Sequence, residues 1–291
     1  MIEEKSKASK AFDIFNVIFL CFMIIITLYP FYYVLVCSFS DSSLLMMKRG
    51  IVLWPQGFSM AAYKAVFSNP NIFTGYRTTL IVVIFGTILN VLLTAIGAFL
   101  ITRRKFRLRK SLEYIMIFTM YFSGGMIPTY IIVYNVLKLG DTLWALLLPT
   151  AISTYNLLIM KSNFMSIPDS LEESAKLDGA NDIIILFRII LPLSTSIMAV
   201  MVLFYGVGHW NSWFQALLYI RTRDKYPLQL ILREILLINS ASSMADSDNA
   251  YMLSETIKYA TIMVATVPIL CVYPFIQKYF VKGIMLGAVK G

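Results

Sequence analysis

Charge is what this 291-residue chain has least of: only 14% of its residues are Asp, Glu, Lys or Arg, against about a quarter in soluble domains. With 58% hydrophobic residues and a mean hydropathy of +0.73, that scarcity excludes a water-soluble globular protein and places the chain in a lipid bilayer. Cysteine is scarce too. Cys21, Cys37 and Cys271 lie in or beside apolar runs, show no metal-ligand or redox spacing, and read as small apolar fillers. The single histidine, His209, has no second histidine or nearby carboxylate in its apolar run, which argues against a metal site or a histidine-based catalytic pair. No GxxxxGK[ST] segment occurs, and Gly206-Val207-Gly208 is a lone glycine pair rather than a dinucleotide fingerprint, so any ATP must be handled by another chain. No nucleophile and base pair up within an apolar run, which disfavours a membrane enzyme. The near absence of ionisable residues there disfavours a secondary transporter or channel, whose ion coupling needs them. The net charge of +9 is not laid out as one exposed stripe, so nucleic acid is not expected as a partner.

What is present is a set of six apolar segments, at about 12–37, 78–101, 112–136, 142–160, 190–220 and 257–281. A bilayer core of roughly 30 Å takes about 20 residues per helix, and six such spans with their loops use up the length of the chain. The runs lack the alternation of barrel strands, which makes the fold class all-α with six transmembrane helices. A basic leader with Lys5, Lys7 and Lys10 precedes the first run, which is too long for a signal-peptide core and should stay attached as the first span. The densest basic cluster, Arg103-Arg104-Lys105-Phe106-Arg107-Leu108-Arg109-Lys110, should hold the connection after the second span in the cytoplasm. Both termini are then cytoplasmic, and segments 38–77, 137–141 and 221–256 lie outside. Arg221, Arg223, Lys225 and Arg233 in the last of these run against the rule. The low-complexity patch 239–249 reads as a mobile outer loop.

One polar stretch interrupts the apolar pattern between the fourth and fifth spans, from Ile167 to Ala180. Pro168 suits a helix start, Ser170 with Glu173 fits a capping box, and Gly179 ends the pattern, which predicts a short helix over about 169–177. Leu171, Ser174, Ala175 and Leu177 are small or apolar side chains that could press into a partner groove, with Glu172, Glu173 and Lys176 charged around the rim. After Gly179 a second helix over 181–190 should form, and Pro192 bends or restarts the chain as it enters the fifth span.

The joint spacing of Glu173, Ala175, Gly179, Ile189, Leu191 and Pro192 resembles the "EAA" loop of membrane subunits of bacterial ATP-binding-cassette importers, with Ser174 in place of the second alanine. Four further stretches look like carbohydrate-import permeases: Gly124 to Tyr130, Leu139 to Ala145, Tyr226 to Gln229, and the tail with Lys278 to Gly283 and Gly287 to Gly291. Within that group the chain resembles the second permease of oligosaccharide and complex-sugar importers, of maltose-like arrangement. The resemblance implies a MetI-like permease fold. It also implies a domain over 12–291 behind a cytoplasmic leader at 1–11, with a coupling loop at about 161–190 that involves Leu171, Glu172, Glu173, Ser174, Ala175, Asp178, Gly179 and Pro192. The implied partners are a second permease subunit, two ATPase subunits that use ATP and Mg, an external solute-binding protein, and the bilayer of the bacterial cell membrane. No cofactor of the chain's own is implied. The Asp178-Gly179-Ala180 variant favours sugar as solute, again by resemblance.

Sugar sites combine aromatic faces with fixed hydrogen-bonding groups. In the fifth span Gly208, Asn211, Ser212 and Gln215 recur at helical spacing beside Trp210, Trp213 and Phe214, which suits a solute path. The alternative is an aromatic belt at the outer interface, with Asn211 binding a neighbouring helix. In the third span Tyr121, Phe122, Ser123, Gly124, Gly125 and Pro128 either break the helix near midplane, as a pocket or gate, or let glycines pack closely against another helix. The segment Tyr226 to Leu237 either lies on the membrane as an amphipathic helix or meets the binding protein.

Overall fold

A backbone that crosses hydrocarbon must satisfy its own N–H and C=O groups, and this chain does so with helices. The structure, a computed structural model, describes residues 7–48, 50–103, 106–242, 256–272 and 274. Among them every regular element is helical, and the β-structure is one isolated bridge between Ser40 and Phe58. The chain divides into two compact units, one formed by residues 1–69 with 232–266, the other by 70–231 with 267–291.

In the first unit α1 (Lys7–Ser38) carries apolar side chains on all sides, and Phe15, Ile18, Ile25 and Leu28 are exposed on the chain's surface, a display that only lipid or a partner can cover. Its last turn ends the exposure. Val36 and Cys37 pack with Val52 and with Leu45 of α2 (Ser42–Met47). Asp41 caps α2 by accepting from the amides of Ser43 and Leu44 at 3.0 and 3.4 Å. The short α3 (Ala61–Phe67) is tied to the end of α1 by a 2.9 Å hydrogen bond between the Tyr63 and Ser38 hydroxyls. Tyr259, in the helix Thr256–Val272, stands edge-on to Tyr33 at 5.8 Å.

The second unit is organised on α4 (Pro70–Thr102), an uninterrupted helix of 33 residues. Helices in lipid associate by close packing rather than by expelling water, and α4 supplies small residues for it: Gly75, Gly86, Ala95 and Ala98 all face neighbours. Next come α5 (Arg109–Tyr121) and α6 (Met126–Ile131), the latter continuing as a π turn over Ile132–Val136. Then follow α7 (Trp144–Leu147), α8 (Thr154–Phe164), α9 (Asp169–Leu177) and α10 (Asp182–Ile185). A second π turn, Leu186–Ile190, leads through α11 (Leu191–Leu193) to α12 (Thr195–Trp210), α13 (Phe214–Tyr219) and α14 (Leu228–Ser242). One core joins Ala95, Ala98 and Phe99 of α4 to Leu157 and Met160 of α8, Ala175 of α9, Ile185 of α10 and Met201 of α12. A second joins Val82, Leu146, Leu147, Ala216, Ile220 and Leu230.

Several expectations change here. Among the described residues two helices, Ser9–Ser38 within α1 and Pro70–Thr102, are by length and composition sufficient to cross a membrane, and up to four are if each of two bent pairs is one span. The third segment bends by 116° between α5 and Met126–Val136, where Gly125 takes φ +87. Nothing described lies within 4 Å of a Cβ built on Gly124 or Gly125, so these glycines break the helix and do not pack against another of the described helices. The fourth segment is not one helix but α7 and α8, separated by residues 148–153. The fifth bends by 87° between Asp182–Leu193 and α12, and stops at Asn211, so 190–220 is not continuous either. The Tyr226–Leu237 segment spends its apolar side chains on packing rather than on a membrane surface: Leu228, Leu230, Ile231 and Leu232 are buried. Thr79 accepts from the Leu228 amide at 2.8 Å, and a Cβ on Gly75 would come within 3.1 Å of the Leu228 Cα. The patch 239–249 lies partly in α14, which runs to Ser242, and otherwise outside the described residues, as does the tail from Lys278.

Candidate functional site

The polar stretch folds as α9 with the bounds the punctuation predicts, but its start differs. Pro168, not Ser170, is the N-cap, and no side-chain cap bond is made, so the Ser170–Glu173 capping box does not form. The first turn is instead acidic, with Asp169 and Glu172 at the positive end of the helix dipole. The end is a Schellman motif: the Ala180 amide donates to the Ala175 carbonyl at 2.9 Å and the Gly179 amide to the Lys176 carbonyl at 3.1 Å, with Gly179 at φ +83. Asn181 then caps α10, accepting from the Ile184 amide at 2.9 Å.

This geometry sorts the side chains of α9. Leu171, Glu173, Ser174 and Asp178 are exposed, and Leu177 is 89% exposed. Ala175, expected to meet a partner, is 9% exposed and belongs to the chain's own core. Glu172 is not a free rim charge. It pairs with Arg103, which follows α4, and with Lys176, whose Nζ lies 3.9 Å from Asp182. The α9 side of this network borders a cleft of about 820 Å³ that Arg109, Phe164 and Pro168 also line. Pro192 sits at the start of α11, two residues before the 87° bend at Ser194.

At the other end of α12 lies a cavity of about 490 Å³. Asn211, Ser212, Trp213, Phe214 and Gln215 line it from the break between α12 and α13, joined by Phe204, Tyr205, Gly208 and His209 of α12. The sequence places Gly208, Asn211 and Gln215 on one helical face; the structure gathers them around a helix end instead. Ser212 donates to the Gln215 side-chain oxygen at 2.9 Å. Trp213 stands edge-on to Phe214 at 5.4 Å. Trp210 is buried beside Tyr76, at 6.3 Å between rings, and does not line the cavity or face lipid. Tyr121, Phe122, Gly124 and Gly125 lie apart, with Tyr121 and Phe122 exposed at the α5–α6 break.

The remaining lining residues escaped the sequence reading: Asn90 of α4 with Leu146, Thr150, Ser153 and Asn156. Asn90 donates to the Thr150 carbonyl at 2.7 Å and accepts at Oδ1 from His209 Nε2 at 3.3 Å. Tyr205 accepts from the Ser153 amide at 3.1 Å and shares a 2.6 Å bond with the Thr94 hydroxyl. The available signal was the polar pair Asn90 and Thr94, one turn apart inside an apolar run. No lining residue carries a fixed charge, and no group of three or more metal-ligating side chains exists among the described residues. Chemically the cavity offers neutral donors, acceptors and aromatic edges, the means to hold a hydroxyl-rich solute rather than to make or break bonds.

Comparison with known proteins agrees. The family described as binding-protein-dependent transport system inner membrane component matches residues 92–286. The chain is 42% identical over 288 residues to Protein LplC of Bacillus subtilis (strain 168), covering 98% of this chain and 97% of that protein. It is also 42% identical over 286 residues to the polygalacturonan/rhamnogalacturonan transport system permease protein YtcP of the same organism, covering 97% and 99%. A chain in the crystal structure of a bacterial ABC transporter involved in the import of the acidic polysaccharide alginate superposes with a TM-score of 0.84 at 29% identity, covering 95% of this chain and 99% of that one. With a matched family over two thirds of its length and full-length relatives of that kind, the chain belongs to the binding-protein-dependent transport system inner membrane components.

Proposed function

We propose that this chain is the permease subunit of an ATP-driven bacterial importer for a carbohydrate, an oligosaccharide by the names of its relatives, and that it couples ATP hydrolysis in partner subunits to movement of the solute. The observation that carries the reading is α9: a capped helix that presents Leu171, Ser174 and Leu177 outward while Ala175 roots it in the core that also holds α4 and α12. Of those two helices, α12 lines the neutral polar cavity at its far end and α4 lines it at Asn90, midway along its length. Two ATPase subunits, using ATP and Mg, would grip the exposed face of α9 on the cytoplasmic side. A second permease subunit would complete the pathway, and an external binding protein would deliver solute. In this arrangement the permease domain covers 12–291, both termini lie inside, 161–190 forms the inner coupling loop, and 38–77 and 221–256 lie outside. Nucleotide can shift the two states of the transporter only by the difference in its affinity for them, so the part that it moves must be docked rigidly.

The test is uptake of a radiolabelled oligogalacturonide into proteoliposomes holding the whole complex. Uptake that requires ATP and the binding protein is expected. Uptake driven by a proton gradient without ATP would overturn the coupling, and ATP-dependent uptake of another solute class alone would overturn the carbohydrate assignment.

A further inference from the structure

The reading above leaves one strongly placed side chain without a task. Arg103 follows directly on the last residue of α4, and its guanidinium lies 4.1 Å over the Phe99 ring. Its Nε donates to the Phe99 carbonyl at 3.4 Å and to the Thr102 hydroxyl at 3.3 Å, and its Nη1 pairs with Glu172 of α9. The paired side chains are only 15% and 17% exposed. Arg107 and Lys110, in the same basic run, are exposed to solvent.

We propose that Arg103 is a positioning residue of the coupling: it locks α9 to the end of α4, so that displacement of α9 is carried up α4 to the polar cavity. The proposal rests on the reading of α9 as the contact for the ATPase subunits. Besides the return along the chain to α8, whose Asn156 lines the cavity, two routes lead from α9 toward it. The covalent one passes through a π turn, Pro192 and an 87° bend before reaching α12, a path with several places to absorb motion. The other is α4, unbroken from Thr102 to Asn90, about 20 Å of helix at 1.5 Å per residue. Arg103 joins its end to α9 through the ion pair with Glu172, and the charge of Asp169, in the first turn of α9, also acts on that guanidinium. A stacked, planar guanidinium holds a carboxylate in fixed geometry, which an ammonium on a flexible stem does not. Removing Arg103 leaves Glu172 with the more exposed Lys176, a partner on its own helix that does not tie α9 to α4.

The experiment measures the distance between spin labels at Ser170→Cys on α9 and Phe85→Cys on α4, both exposed, with Cys21, Cys37 and Cys271 replaced. The complete transporter in nanodiscs is compared without nucleotide and trapped with ATP and vanadate, so no solute is needed. With native Arg103 the distance should stay within about 2 Å between the states, whereas a slip by one helical turn, about 5 Å, would overturn the proposal. Arg103→Gln should add a population displaced by about that turn while the ATPase subunits still copurify. An unchanged distribution in an assembled Arg103→Gln complex would overturn the proposal. Arg103→Lys should restore the single distance only in part, and the exchange Arg103→Glu with Glu172→Arg should restore it more fully than either change alone. If Arg103→Gln does not assemble, the two-state measurement on native Arg103 and the charge exchange decide. Loss of contact between α9 and the ATPase subunits, read separately by crosslinking, would remove the underlying reading instead.

Discussion

Gly86 is where α4 makes room for the ring of His209. A Cβ built there would lie 2.5 Å from His209 Nε2 and 2.8 Å from Leu147 Cδ2, closer than real atoms approach. The His209–Asn90 bond depends on that space, so Gly86→Ala is expected to destabilise the detergent-solubilised protein by about 1–3 kcal/mol, measured by thermal unfolding. Gly124→Ala is the control: nothing stands within 4 Å of its Cβ and its φ is not positive, so the change should stay within about 0.5 kcal/mol. At this scale the sequence is legible where a residue's own backbone chemistry decides the outcome. Pro168 and Gly179 mark the ends of α9 because one lacks an amide hydrogen and the other tolerates φ +83. That Ala175 packs into the chain's own core and Glu172 pairs with Arg103 is not legible in the same way, because a short helix shows its periodicity but not which of its faces meets its own chain.

At the scale of elements the consequence is direct. Cysteine at Ser174 or Leu171 should crosslink to an ATPase subunit in the assembled transporter, whereas Ala175→Cys, one residue on and turned into the core, should not. Equal crosslinking at all three would mean that α9 leaves its seat in this complex. A second joint between elements lies at Asp141, in a left-handed conformation at φ 55 between the π turn after α6 and α7. Its carboxylate accepts from the Thr222 hydroxyl at 2.6 Å, the Thr222 and Arg221 amides at 2.9 and 3.0 Å, and Lys225 Nζ at 3.0 Å. These bonds, the Thr222 hydroxyl foremost, hold its carboxyl well below the usual carboxylate range. A depressed folded value means that this stabilisation is fully present above the unfolded value, near 3.9, and is lost as pH falls through the folded one. Asp141→Asn should therefore lower thermal stability most near pH 7, with the gap to the native protein closing below about pH 4. A gap constant from pH 7 to 3 would show that shape rather than charge makes the joint. Asp141 lay in a stretch legible only as permease-like, since its partners are about 80 residues away and spacing says nothing about such pairs.

For the whole molecule, composition made the membrane and the all-helical class legible, because both follow from solvation of the backbone rather than from particular contacts. Hydropathy alone does not fix the number of crossings, since it counts apolar residues and does not register bends such as the 116° and 87° ones. Whether Asp182–Leu193 with Thr195–Trp210 is one broken span or a re-entrant loop fixes the sidedness of everything around it. The six-span expectation puts α9 inside and the turn at Arg223–Lys225 outside, against the positive charges there. Lys225 is a weak objection, because its ammonium is paired with Asp141 and Arg221 lies 5.1 Å over the Tyr134 ring, so both are held by the chain itself. A broken span puts Leu177 and Arg223 on opposite faces of the bilayer; a re-entrant loop puts them on the same face. An impermeant maleimide added to intact cells should label Arg223→Cys but not Leu177→Cys, and inside-out vesicles should reverse the pattern. If both sites label from one side, the bent pair turns back within the membrane, and α9 and the cavity-bearing end of α12 can no longer be the inner and outer ends of one moving element.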